Sequence, residues 1–116
     1  MYTETLPLSP TDFHVLLVLA REDLYGYAIL KAVEAESQGA VRPEIGSLYR
    51  VLARLMAGGL VEEVDTPKDA VVHRGRPRRY YRLTPVGKAA LEADTKRLAG
   101  AIELAKTRHL LPDGAE

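Results

Sequence analysis

The apolar positions divide the chain into four stretches of helical period and two of extended character. Ile45, Leu48, Leu52 and Leu55 recur at spacings of three and four, which draws one apolar stripe along a short helix. Val51 and Met56 widen that stripe into a face that can bury. Pro43 stands just ahead, where proline suits a helix start, and Gly58-Gly59 ends the pattern with residues that accept a left-handed backbone. Upstream, Ser9-Pro10-Thr11-Asp12 reads as another helix start, with Ser9 as N-cap, Pro10 at the first helical position and Asp12 favourable to the helix dipole. The segment from Phe13 to Ala20 is apolar nearly all round, so it is expected to be covered on two sides, one by its own domain and one by a second subunit. A further helix starts near Leu24-Tyr25-Gly26-Tyr27, carries Ala28, Ile29, Ala32 and Val33 as its stripe, and ends by Gln38-Gly39. Gly26 is costly in a helix interior; it implies a first-turn position or the close approach of another segment.

Leu60 to Thr66 reads as a strand, and Arg78 to Leu83 as its aromatic, β-prone return. The connection between them is longer than a tight hairpin needs. Val41-Arg42 could add a small edge strand. Thr84 and Pro85 open the last helix as cap and first residue. Leu91, Leu98, Ile102 and Ala105 form its stripe, with Thr95 in the path, and it runs to about His109 before Pro112-Asp113-Gly114. At ~1.5 Å per residue this helix is on the order of 36 Å long, more than a small domain can cover. A second copy is its natural partner, with Phe13, Leu16 and Leu17 of the first helix sharing the interface; the alternative is an overhanging, half-solvated helix. The expected fold is therefore mainly α with a small β-hairpin. Residues 1–84 form a winged helix-turn-helix, residues 85–111 a dimerisation helix, and residues 112–116 a tail.

Composition narrows the chemistry. The 116 residues suit one domain, and no cysteine is present for a disulfide or a thiolate metal site. No apolar run is long enough to span a bilayer and no leader precedes the first helix, so the expectation is a soluble, cytoplasmic protein with no membrane partner. His14, His73 and His109 are scattered, without carboxylates at metal spacing. No phosphate loop, nucleophile elbow or carboxylate pair appears, so no metal, no cofactor and no enzyme activity are expected. The formal net charge is zero, which argues against a general polyanion binder and shifts attention to charge placement.

That placement is uneven. Basic residues gather at Arg74, Arg76, Arg78, Arg79 and Arg82, and acidic residues at Glu34, Glu36, Glu62, Glu63, Asp65, Glu92 and Asp94. Opposite the Leu48 stripe, Ser47, Arg50 and Arg54 share one side of a short helix, an arrangement suited to a DNA major groove. Taken alone, the same stretch could be a surface helix with two solvated arginines. The loop holding Arg74, Arg76 and Arg78, stiffened by Pro77, reads as a wing able to reach phosphates or the minor groove. The neutral net charge leaves a second class open, a winged helix that binds protein and not DNA. A planar effector would lean on Phe13, His14 or Leu17 and the C-terminal helix, since no Trp offers a broader platform.

Leu24-Tyr-Gly-Tyr-Ala-Ile29, Gly46-Ser-Leu-Tyr-Arg-Val-Leu-Ala-Arg-Leu55, Gly59-Leu-Val61 and Gly75-Arg-Pro-Arg-Arg-Tyr-Tyr-Arg-Leu-Thr-Pro-Val-Gly87 together resemble the PadR family of transcriptional regulators. The similarity spans about residues 10 to 105 and points to the short subfamily with a single C-terminal helix. The resemblance implies a homodimeric repressor bound to double-stranded DNA; many relatives respond to small, often aromatic, molecules, so release by a small effector is expected, and the two-fold symmetry of a dimer makes a near-palindromic operator the expected site. The resemblance also implies that Ser47, Tyr49 and Arg50 lie on the DNA side, with Tyr49 close to a phosphate. It further implies that Gly75, Arg76 and Arg78 form the wing tip and that Tyr80 and Tyr81 anchor the wing strand.

Overall fold

Ser9 caps the first helix as its sequence suggests: its hydroxyl accepts the Asp12 N–H at 3.1 Å, and α1 (Pro10–Arg21) begins there. The computed structural model describes residues 6–66 and 79–112. Val15, Leu16, Val18 and Leu19 of α1 are buried, because α1 packs against three other elements. These are α2 (Gly26–Glu36), the strand β3 (Tyr80–Leu83) and the last helix α4 (Pro85–Thr107). Ile29 and Val33 of α2 join the same core, as do Leu48, Leu52 and Leu55 of α3 (Ile45–Ala57). Helices α2 and α3 pack on each other through a short connection and form the helix-turn-helix.

The turn after α3 sets where α4 starts. Gly59 takes a left-handed φ of 81°, and the Leu60 N–H reaches back to the Leu55 carbonyl at 2.9 Å, which satisfies the helix end. The Leu60 carbonyl then accepts the Thr84 N–H at 3.0 Å, and the Thr84 hydroxyl donates to the Gly59 carbonyl at 2.6 Å. The same hydroxyl accepts the Gly87 N–H at 2.9 Å and so caps α4. Gly87 lies directly on this turn; a Cβ there would strike the Leu60 carbonyl oxygen and come within 2.8 Å of Leu83 Cδ1.

The sheet has three antiparallel strands in the order β1 (Leu24–Tyr25), β3, β2 (Val61–Val64). Val61 pairs with Leu83 and Val64 with Tyr80, while Leu24 and Tyr25 pair with Tyr81 and Tyr80 on the other edge of β3. The third strand is therefore Leu24–Tyr25, not Val41–Arg42. Val41 is folded onto the core, and its N–H and carbonyl are both engaged by the Ser37 hydroxyl, at 2.9 and 3.3 Å. Arg82 of β3 forks onto Asp23, just ahead of β1, at 2.8 and 3.3 Å and stands opposite Glu62 of β2.

Three apolar expectations change. Ile45 opens the predicted stripe but is 43% exposed, because it is the first residue of α3 and projects past the core. Leu16 and Leu91, expected at a subunit interface, are instead buried in the chain's own core, since α1 and α4 pack on each other. Leu17 is exposed, Phe13, Leu98 and Ala105 are half-buried, and Ile102 and Leu104 are 45% and 55% exposed. The helix ends at Thr107, two residues short of His109, which adopts a left-handed φ of 61°. Asp94, one of the acidic residues picked out in the sequence, is only 1% exposed, with Oδ1 accepting from Arg97 Nε at 2.7 Å. Among the described residues no helix is long and apolar enough to cross a membrane.

The turn at Gly87 yields a paired test. Gly87→Ala is expected to lose about 1–3 kcal/mol, because the obstructing atom is backbone and cannot swing aside. Gly100→Ala, on the same helix with open space around its Cβ position, is expected to gain about 0.5–1 kcal/mol. Chemical denaturation of both variants checks the contrast.

Candidate nucleic-acid interface

Helix α3 has two unlike faces. Leu48, Leu52 and Leu55 are buried, while Tyr49 and Arg50 are exposed and Ser47 is half-buried. Arg50 Nη2 donates to the Ser47 hydroxyl at 3.0 Å, one turn back, so the two polar side chains form a single outward group. That group keeps free guanidinium donors for a base edge or a phosphate.

Tyr49 explains Gly26. Gly26 opens α2, and a Cβ on it would run into the Tyr49 hydroxyl and ring. The approach that the sequence implied thus comes from a side chain of α3 at the first turn of α2. Tyr81 of β3, fully buried, lies close enough that Tyr49 helps raise its pKa. Burial is the main cause of that rise, and a hydrogen bond with Arg79 opposes it. Tyr25 and Tyr80 meet edge to face across β1 and β3 at 5.5 Å. The tyrosines therefore join the start of α2, the exposed side of α3 and the wing strand in one packed junction. Tyr27 stands apart, half-exposed beneath the Lys31 ammonium at 5.7 Å.

The charged residues sort differently from the sequence reading. Arg54, placed there on the DNA side, forks onto Asp12 of α1 at 2.7 and 3.0 Å. Arg82 is held by Asp23, which raises its pKa, and Arg79 lies 3.8 Å from Glu63. Arg74, Gly75, Arg76 and Arg78, the expected wing tip, lie outside the described residues. The structure thus brings Ser47 and Arg50 together, packs Tyr49 over Gly26, and ties Arg54 to Asp12. Asp12 is the residue that sequence reasoning missed in this role; its one available signal, an acid next to Phe13 in an otherwise apolar helix, was absorbed by the helix dipole.

No described group of three His, Cys, Asp or Glu side chains could hold a metal ion. His14 is half-buried edge-on to Phe13 at 5.7 Å. Two shallow grooves of about 550 and 520 Å³ run where the end of α1 meets α4. The second is lined by Ala20, Lys88, Leu91, Glu92, Thr95 and Lys96, and neither includes Phe13, His14 or Leu17.

Comparison with known proteins now defines the class. The model of the transcriptional regulator PadR-like family matches residues 15–93, and the chain belongs to that family. It is 35% identical over 85 residues to the transcriptional regulator Rv3488 of Mycobacterium tuberculosis, covering 73% of this chain and 72% of the relative. Another curated relative is 40% identical over 85 residues, but the match spans only 22% of that longer protein. Among solved structures, a PadR family transcription regulator from Clostridium difficile R20291 superposes with a TM-score of 0.69 at 23% identity, over 85% of this chain and 97% of that one. Bacillus subtilis PadR in complex with operator DNA superposes with a TM-score of 0.58 at 22% identity, over 71% of this chain and 44% of that one. The winged-helix fold is thereby shown, as expected from the residues.

The Tyr49–Gly26 contact can be tested by a cycle. Gly26→Ala is expected to cost less than about 1 kcal/mol, since the exposed Tyr49 ring can move away. In a Tyr49→Ala background the same change should be neutral or stabilising. Thermal denaturation of the two single variants and the double reads the coupling; additive effects would remove the contact.

Proposed function

We propose that the protein is a sequence-specific DNA-binding regulator acting as a homodimeric repressor, with α3 in the major groove of a near-palindromic operator. The observation that carries this reading is the outward face of α3. Ser47, Tyr49 and Arg50 stand proud of a helix whose other side is locked into the core. A family member of the same fold has been solved with operator DNA, which supports the same use here. The wing, with Arg74, Arg76 and Arg78, follows β2 in the chain and reaches phosphates or the minor groove.

A second copy completes the molecule. The structure extends 55 Å along its long axis against 31 and 25 Å across, and the far half of α4 carries Leu98, Ile102 and Leu104 beyond the core. Burial of a leucine is worth roughly 1.5–3 kcal/mol, so pairing these faces is a sizeable gain for a small domain. A two-fold axis through α4 places two recognition helices about one DNA turn apart, ~34 Å. An effector at that interface, near Phe13, His14 and Leu17, would alter the half-site spacing and release the operator.

The direct experiment is a mobility shift with DNA from upstream of the protein's own gene and unrelated DNA as competitor. Selective retention is expected; indifference to sequence would favour a protein-interaction module. Arg50→Ala should cost ~1–3 kcal/mol and relax base preference at one position of each half-site. Replacing Arg74, Arg76 and Arg78 with Ser should flatten the dependence of log affinity on log salt by about one per lost phosphate contact. Leu98→Asp with Ile102→Asp should give a monomer that binds DNA weakly. Light scattering at micromolar concentration checks this; a monomeric wild type that binds tightly would refute the dimer.

A further inference from the structure

We propose that Asp12 is a positioning residue for DNA recognition: its bidentate ion pair with Arg54 pins the recognition helix α3 to α1 and sets the angle at which Arg50 and Ser47 are presented. The proposal rests on the reading of α3 as the DNA-contacting helix.

The pair is built and not incidental. Asp12 is the third residue of α1, and as a residue it is only 7% exposed. Arg54 Nη2 donates to Oδ1 at 2.7 Å and Nη1 donates to Oδ2 at 3.0 Å, so each oxygen receives its own nitrogen. This fork fixes both distance and plane, which a point contact from lysine would not. Each charge also stands at the helix end that favours it: the carboxylate in the first turn of α1, the guanidinium in the last turn of α3. The partners are 42 residues apart, so no local turn brings them together.

The rest of the α3 contact is of another kind. Leu48, Leu52 and Leu55 hold the helix against the core by apolar burial, which is strong and non-directional. Such a contact opposes separation but resists rotation about the helix axis weakly. Side-chain contacts near its two ends add direction. Tyr49 sits over Gly26 near the start, and Arg54 grips Asp12 near the end. Between them lies Arg50, whose contact with a base edge depends on orientation far more than a phosphate contact does. Arg54 thus acts through helix placement. Its charge is already matched by Asp12, so it adds little to the general attraction of DNA. This separates it from Arg50, which follows the same spacing in sequence but donates to the Ser47 hydroxyl.

The test uses the full-length protein. Wild type is first used to enrich a duplex from a random library. Affinities for that duplex and for a scrambled one of equal length are then measured against salt for wild type, Asp12→Asn, Arg54→Gln and the double variant. Each single variant should lose about tenfold for the enriched duplex, as expected for a half-exposed charge-assisted pair. Binding to the scrambled duplex and the salt slope should stay unchanged, and the double variant should be no weaker than either single. Loss of discrimination in a folded protein is a readout that simple destabilisation does not move. Arg54→Lys keeps the charge but not the fork, and it should lose discrimination as Arg54→Gln does; it also carries the test if Asp12→Asn fails to fold. Three results would overturn the proposal: discrimination by Asp12→Asn or Arg54→Lys equal to wild type; tighter binding of both duplexes by Asp12→Asn; or a slope lowered by about one per subunit in Arg54→Gln, as for a phosphate contact. Wild type that enriches no sequence would overturn the DNA-recognition reading and this proposal together, whereas enrichment by wild type with an indifferent Asp12→Asn overturns the proposal alone.

Discussion

Burial of Val15, Leu16, Val18 and Leu19 on α1 is the interaction around which the domain is assembled, because α2, β3 and α4 each use α1 as a wall. At roughly 1.5–3 kcal/mol per large aliphatic side chain, these four contribute on the order of 6–12 kcal/mol as an upper bound. That is comparable to the whole net stability of a small domain, roughly 5–15 kcal/mol. The same helix carries Asp12, which reaches α3, and Leu17, which faces out. Core, recognition helix and proposed subunit contact all meet on one helix of 12 residues.

The outer elements are held by a few directional contacts laid over that apolar base. The Leu60 carbonyl and the Thr84 hydroxyl tie the end of α3 to the start of α4, and only glycine at position 87 lets the two backbones come so close. Tyr49 and Tyr81 link α3 to the wing strand, with Gly26 leaving room for the ring. Each of these contacts joins elements that carry different parts of the proposed DNA surface.

Much of this was legible along the chain, and for a physical reason. Helix caps, proline at a first turn, glycine past a last turn and apolar period are properties of a few consecutive residues. Ser9-Pro10, Thr84-Pro85 and Gly58-Gly59 accordingly mark α1, α4 and the end of α3 to within a residue or two. Ser47 and Arg50 were legible for the same reason, since a helix of known phase decides which side they take. The family motifs around Tyr49 and Tyr81 added the tyrosine junction's members but not its geometry.

What only the tertiary structure decided involves partners far apart in the chain. Leu24–Tyr25 is too short for a period of two to register, and it is a strand only because β3 offers it an edge. Arg54 obeys the same helical phase as Arg50, yet an acid 42 residues away engages its guanidinium. Asp94 sits on the inner side of α4 with its charge matched by Arg97, which its place among the acidic residues did not indicate. Ile45 keeps the apolar phase but lies past the end of the core. Periodicity assigns a residue to one side of its own helix; whether that side meets an apolar wall, a countercharge or solvent depends on where the other helices cross.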